Sequence, residues 1–266
     1  MILLFIMLLL TALYSFLFYF TSLSLWFYFL WIPVSLILAI LTILLAILIM
    51  FQYMKRTSPK NKFRHLLLYQ ACQLILFFSN TKIKVIGEEY IPNKTFVCYA
   101  NHKSDIDVIA LYCALKRVCS AVGKKSLFKY PIIKQCKDVF AAIALDRDND
   151  REGARQIIET IKNIKNGLSY IIFPEGGIKS RETEEMVNLR AGAYKLVTKT
   201  GALLLPATII GSSYTKKRKS IFNRVNITII FHKPISKEEY ENLNTSEIGQ
   251  IVYDMINADI QKYETR

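Results

Sequence analysis

The stretch Asn101–Asp107, NHKSDID, decides how the rest of the chain is read. The apolar run Phe96–Tyr99 before it reads as a strand, and Ile106–Leu115 after it reads as a helix. His102 therefore falls where a strand gives way to a helix, a common place for ligand sites in α/β folds. Residues five apart on a regular helix point about 140° apart. If His102 and Asp107 meet, His102 must lie in the loop and Asp107 in the first helical turn. Ser104 and Asp105 are the residue types that cap such a start. Asp107 would then accept from one ring nitrogen and leave the other free to take a proton, the base-and-orienter half of a triad. Spacing ties no serine or cysteine to the pair, so the hydroxyl to be activated belongs to a substrate. A histidine followed by an acid at this distance also arises by chance, and the pair acquires weight only from its company. His65 and His232 have no acid at that spacing.

Outward from this stretch the chain alternates. Strands are expected at Lys82–Ile86, Phe96–Ala100, Val118–Val122, Val139–Leu145, Ser169–Phe173, Leu203–Ile210 and Val225–His232. Helices are expected at Phe63–Phe78, Ser126–Gln135, Asp150–Lys165, Leu189–Lys199 and Lys237–Tyr263, the last with a break. Such alternation implies an α/β fold, a mostly parallel sheet covered by helices. Several strands are almost wholly apolar, as a sheet covered on both faces requires.

Charge divides the chain further. Of 266 residues, 52% are hydrophobic, yet 35 Lys+Arg against 21 Asp+Glu give a net charge of +14. Residues 1–54 carry no charged side chain, so every charge lies from Lys55 onward. As helix, 54 residues would reach about 80 Å against a hydrocarbon core of about 30 Å. Two passes, roughly Leu3–Phe20 and Pro33–Phe51, fit that length; Trp26, Tyr28 and Trp31 between them suit an interface. Lys55, Arg56, Lys60 and Lys62 follow at once, which places the remainder on the cytoplasmic side of a cell membrane. A hairpin dipping into one leaflet and a buried pair of soluble core helices are the alternatives. The expected organisation is a membrane segment over 1–54, a basic linker with a membrane-face helix over 55–81, and a cytoplasmic α/β domain over 82–266. The charge favours a phospholipid membrane as partner. No nucleic-acid motif accompanies it, and nucleic acid is not expected. The cysteines, Cys72, Cys98, Cys113, Cys119 and Cys136, form no CxxC pair and read as reduced apolar residues; no metal site is expected.

Three further stretches stand out. YIIFPEGG, Tyr170–Gly177, delivers Glu175 to a turn whose glycines, Gly176 among them, let backbone amides approach a ligand. Its carboxylate would bind a hydroxyl, hold a cation, or simply face water. IALDRDN, Ile143–Asn149, sets Arg147 just past a strand, where a guanidinium matches phosphate with paired hydrogen bonds or an Asp in a surface ion pair. ALLLPATIIG, Ala202–Gly211, reads as a core strand. Lys124 and Lys125, after another strand, would add positive charge for a phosphate. The run Lys216–Lys219 reads as a solvated turn or a contact with anionic lipid.

Together these stretches resemble, in order, the four motifs of the glycerolipid acyltransferase family, and within it the lysophosphatidate acyltransferases. NHKSDID is similar to the first motif, carrying His102 and Asp107. IALDRDN is similar to the second, carrying Arg147. FPEGG is similar to the third, carrying Glu175 and Gly176, and LLLPATI to the fourth, around Pro206. GKKSLFKYP and LRAGAYKL are also similar to the family between its motifs. The resemblance covers roughly residues 82–233. Gly177 and Ile178 depart from the Thr and Arg that the family often has there, and Lys179 or Arg181 would supply the missing charge. The resemblance implies transfer of a fatty acyl chain from an acyl-CoA or acyl carrier protein thioester to the hydroxyl of lysophosphatidate. In this reading His102 is the base, Asp107 its orienter, and Arg147 with Lys124 the phosphate contact. Glu175 would touch the glycerol or hold Arg147, the oxyanion would find amides near Asp105, and no cofactor is needed. Acylation of glycerol 3-phosphate or another lysolipid is the near alternative; a silent lipid-binding protein is the distant one.

Overall fold

The computed structural model describes residues 2–19, 28–129, 131–146, 149–187, 189–220 and 222–264. It divides into two compact units, Met1–Thr57 and Ser58–Arg266.

The first unit is a pair of apolar helices, α1 (Ile2–Tyr19) and α2 (Tyr28–Arg56). Two hydroxyl pairs join them, Tyr14 with Thr42 at 3.0 Å and Ser15 with Ser35 at 3.1 Å. Within α2, Pro33–Arg56 has a mean hydropathy of 3.1 and is long and apolar enough to cross a membrane. Leu44, Leu45, Leu48 and Ile49 are all exposed, which does not fit the reading of a buried soluble core. Pro33 lies inside α2 rather than at its start; its ring removes one backbone bond near the helix N-terminus. The helix then runs on through Lys55 and Arg56, whose charges suit the negative end of its dipole. Trp26 lies outside the described residues.

The second unit begins with α3 (Lys62–Phe78), capped by the Asn61 side chain. Arg64, Leu68, Cys72 and Leu76, spaced by one turn, form its buried stripe. Then follow β1 (Thr81–Ile86), β2 (Phe96–Ala100), α4 (Asp107–Leu115), β3 (Cys119–Lys124), α5 (Pro131–Phe140), β4 (Ile143–Leu145), α6 (Asp150–Lys165) and β5 (Ser169–Ile172). The chain continues with α7 (Lys195–Thr200), β6 (Leu203–Ile210), α8 (Tyr214–Lys217), β7 (Val225–Phe231), α9 (Lys237–Tyr240) and α10 (Thr245–Glu264). The seven strands form one sheet in the order β1-β7-β6-β2-β5-β3-β4. Only β6 and β7 pair antiparallel; the other pairs are parallel. The fold is therefore the expected helix-covered, mostly parallel sheet.

Burial follows position in that order. The central strands β2 and β5 are buried at every residue, and Val97, Tyr99, Tyr170 and Ile172 join the core that Ile248, Val252, Ile256 and Ile260 of α10 cover. Edge strand β1 alternates instead, with Lys82 and Lys84 exposed. Cys72, Cys98, Cys113 and Cys119 are buried free thiols.

Three expected elements differ. Val139 and Phe140 belong to α5, and the strand is only Ile143–Leu145. Arg64 explains why these residues end a helix: its guanidinium donates to the carbonyls of Asp138 (2.9 Å) and Val139 (2.6 Å), satisfying the end of α5. The helix expected over Ser126–Gln135 is a 3-10 turn, Lys125–Lys129, followed by α5, because Pro131 starts a new helix better than it continues one. The helix expected over Leu189–Lys199 is a 3-10 turn, Ala191–Tyr194, running into α7. Arg190 is held extended ahead of it, its amide bonded to the carbonyl of Pro174 at 3.1 Å.

Candidate active site

Strands β2, β5, β3 and β4 stand side by side and parallel, so their C-terminal ends open on one rim of the sheet. NHKSDID leaves β2 at that rim, FPEGG leaves β5, and Lys124 ends β3. Open α/β sheets bind ligands at such a rim.

Asn101 fixes the exit from β2. Its fully buried amide donates to the carbonyls of Glu184 (2.9 Å) and Ile209 (2.7 Å) and accepts from the Ile209 amide at 2.8 Å. His102 follows in the loop and Asp107 opens α4, the placement that spacing requires. Their contact is Nδ1 to Oδ2 at 2.9 Å. Capping works differently from expectation. Ile106 stands at the cap with no side-chain bond, and Asp107 itself reaches back, Oδ2 accepting from the amides of Lys103 and Ser104 at 2.8 Å each. Asp105 points outward, 67% exposed, 3.8 Å from Arg181 and from Lys216. The amides of residues 102–104 thus serve carboxylates within the site rather than an oxyanion.

Phe173 at the end of β5 stacks on His102, centroids 4.1 Å apart and planes 15° from parallel. Acid, ring and buried backbone together leave the imidazole one orientation. With Nδ1–H donating to Asp107, Nε2 is the acceptor; it has no hydrogen bond among the described residues. It is the nitrogen able to take a proton.

Glu175 does not face water. It is fully buried: Oε1 accepts from the His102 amide at 2.7 Å, and Oε2 lies 3.4 Å from Lys103 Nζ, itself fully buried. Desolvation raises the Glu175 pKa, while the His102 amide and Lys103 oppose the rise. Gly176 has φ +75°, and a Cβ there would sit 2.4 Å from Arg190 Nε. The glycine therefore makes room for a guanidinium, a specific use of the expected close approach.

His102, Lys124, Gly176, Gly177, Lys179 and Arg190 line an open cavity of about 540 Å³. Beside it lies a cavity of about 240 Å³ lined mainly by Leu145, Ile157, Ile172, Pro174, Ala193 and Leu196. Val122, Phe173, Gly176 and Arg190 line both. An imidazole base, three cations and an adjoining apolar chamber can together receive an anionic, chain-bearing molecule and activate a hydroxyl on it. Arg147 lies outside the described residues. Lys103, Phe173 and Arg190 were missed as site residues, although all three sit in stretches quoted from the sequence.

Residues 82–210 match the model of the family described as Acyltransferase. That match spans just under half of the chain. Over 184 residues it is 28% identical to the 1-acyl-sn-glycerol-3-phosphate acyltransferase of Saccharomyces cerevisiae, covering 68% of this chain and 59% of that protein. A probable 1-acyl-sn-glycerol-3-phosphate acyltransferase of Mycoplasma pneumoniae is 23% identical, covering 77% and 80%. That of Borreliella burgdorferi is 27% identical, covering 75% and 79%. Among solved structures, PlsC, the 1-acyl-sn-glycerophosphate acyltransferase of Thermotoga maritima, superposes with a TM-score of 0.65 at 20% identity, over 76% of this chain and 80% of that one. The fold is thus shared with that structure.

Proposed function

We propose that the chain moves a fatty acyl group from an acyl thioester, acyl-CoA or acyl carrier protein, to the free hydroxyl of 1-acylglycerol 3-phosphate, giving phosphatidate. The observation that carries this reading is His102, locked by Asp107 at 2.9 Å, opening on a cavity that also holds Lys124, Lys179 and Arg190. An alcohol is a weak nucleophile at neutral pH. His102 Nε2 takes its proton as the oxygen attacks the thioester carbonyl, the C–S bond breaks, and the imidazolium returns the proton to the leaving thiolate. Asp107 stabilises that imidazolium. Base catalysis of this kind contributes about 10²–10⁴-fold. The three cations bind the acceptor phosphate; Lys179 and Arg190 compensate for Ile178 in the departing motif, and Arg147 is a further candidate. The adjoining apolar cavity takes part of an acyl chain. Glu175 acts behind the site, through the His102 amide and Lys103. Helices α1 and α2 hold the enzyme at the cell membrane, with the catalytic unit on the cytoplasmic side, where acceptor and product reside.

Purified full-length protein, given labelled acyl-CoA or acyl carrier protein and a panel of acceptors, tests this. Labelled phosphatidate from lysophosphatidate is expected. Product only from glycerol 3-phosphate or another lysolipid reassigns the acceptor, and no product from any acceptor leaves a lipid-binding role. For Arg190→Ala we expect the KM for the phosphorylated acceptor to rise about tenfold, the value of a charge-assisted contact; an unchanged KM removes it from the phosphate site.

A further inference from the structure

The proposed catalytic site occupies one stretch of the sheet's rim; a second surface lies further along that rim, where α3 ends and the loop after β6 returns. Phe77, Phe78 and Phe222 are 55%, 66% and 84% exposed there. They are held together rather than loose. Arg218 Nη1 donates to the Ser79 carbonyl at 2.6 Å, Asn80 Nδ2 to the Phe222 carbonyl at 2.6 Å, and the Val225 amide to the Asn80 carbonyl at 3.0 Å. These bonds clamp the loop to the cap of α3 and satisfy its backbone locally. Lys219 and Arg224, on the same loop as Phe222, are both exposed. A cleft of about 550 Å³ in the same loop is lined by Tyr214, Lys217, Arg218 and Arg224.

We infer that this surface docks the catalytic unit on an anionic phospholipid bilayer, the three phenylalanines entering the interface and the cleft receiving a headgroup phosphate. Three lines carry it. Clustered exposed aromatics are unusual on a soluble surface and are favoured at the headgroup level of a membrane. Lys and Arg around them match anionic lipid, each worth roughly fivefold in affinity near the surface. Guanidinium groups in the cleft suit phosphate oxygens. An acidic protein partner would meet the charges but gives no reason for three exposed phenylalanines on the same surface. None of these residues lines the cavity at His102, so the surface serves orientation rather than chemistry.

The test uses the full chain in vesicles. Its two tryptophans are changed to phenylalanine, Trp26→Phe and Trp31→Phe, and Phe222→Trp places a single reporter. Brominated-chain phospholipid is expected to quench that emission at least twofold in vesicles containing phosphatidylglycerol, and much less in neutral ones. The charge-reversed pair Lys219→Glu and Arg224→Glu is expected to reduce the quenching about threefold or more, while turnover of a water-dispersed short-chain acceptor stays the same. Phe78→Trp gives the same readout should the Phe222 variant fail to fold. Emission indifferent to brominated lipid overturns the inference, as does quenching that ignores the charge reversal. A spectral change on adding an acidic carrier protein in detergent, without any lipid effect, assigns the surface to that protein instead.

Discussion

Two histidine–carboxylate pairs stand among the described residues, and they are built differently. His102 meets Asp107 through Nδ1 at 2.9 Å. His232, just past the end of β7, lies 3.2 Å from Asp259 on α10, and the contact is through Nε2. The same Nε2 is 2.9 Å from the hydroxyl of Thr208, which also reaches Asp259. In the first pair the carboxylate is built into the backbone turn that holds the imidazole, an aromatic ring fixes its face, and the outer nitrogen is left to a cavity. In the second, hydroxyl and acid converge on one nitrogen and join a helix to the sheet. The presence of a pair says little; which nitrogen is taken, and what the other faces, separates a base from a brace.

The sharpest way to break this contrast is to truncate each ring. His102→Ala is expected to lower acyl transfer by about 10²–10⁴-fold, His232→Ala by less than about threefold; comparable losses would erase the distinction. Removing the acids comes next. Asp107→Asn unsettles both ring orientation and the turn, and we expect kcat to fall about 10²-fold or more with acceptor KM little changed. Asp259→Asn should leave both parameters near wild type.

A third test concerns what stands behind the first pair. Lys103→Met leaves the buried Glu175 carboxylate without its cation, and we expect a loss of about 3–5 kcal/mol in denaturant unfolding. A loss below about 1 kcal/mol would show that the turn does not depend on the ion pair. The smallest effect concerns the second pair and pH. Burial lowers the His232 pKa and outweighs the opposing pull of Asp259. A histidine held below its unfolded pKa contributes stability that is present above about pH 6.5 and is lost as pH falls through the folded value. His232→Gln should therefore flatten the acid side of the stability curve. An unchanged slope would mean that Asp259 compensates fully.

Much of this was legible in the sequence, for identifiable reasons. The central strands announce themselves because a doubly covered sheet leaves apolar runs such as FVCYA and SYII with nothing to disguise them. His102 and Asp107 were readable because both lie in one turn. What escaped notice depends on residues far apart in the chain. Asp259 gives His232 an acid that no local spacing reveals. Arg64 ends α5 from seventy-four residues away, so Val139 and Phe140 pass for strand. Glu175 looks like a solvent-facing turn residue until Lys103 is placed beside it. Arg190 shows its purpose only once Gly176 is seen to make room for it.

The sheet's outer margin at β1 has its own bearing on how copies of the chain coexist. An unpaired strand edge invites a neighbour to extend the ribbon. Lys82 and Lys84 put two ammonium groups on one face of that margin, so an identical edge laid beside it in parallel register would bring like charges together. Crowded molecules are thereby discouraged from zipping into fibrils, and replacing both lysines with valine should surface first as loss of solubility.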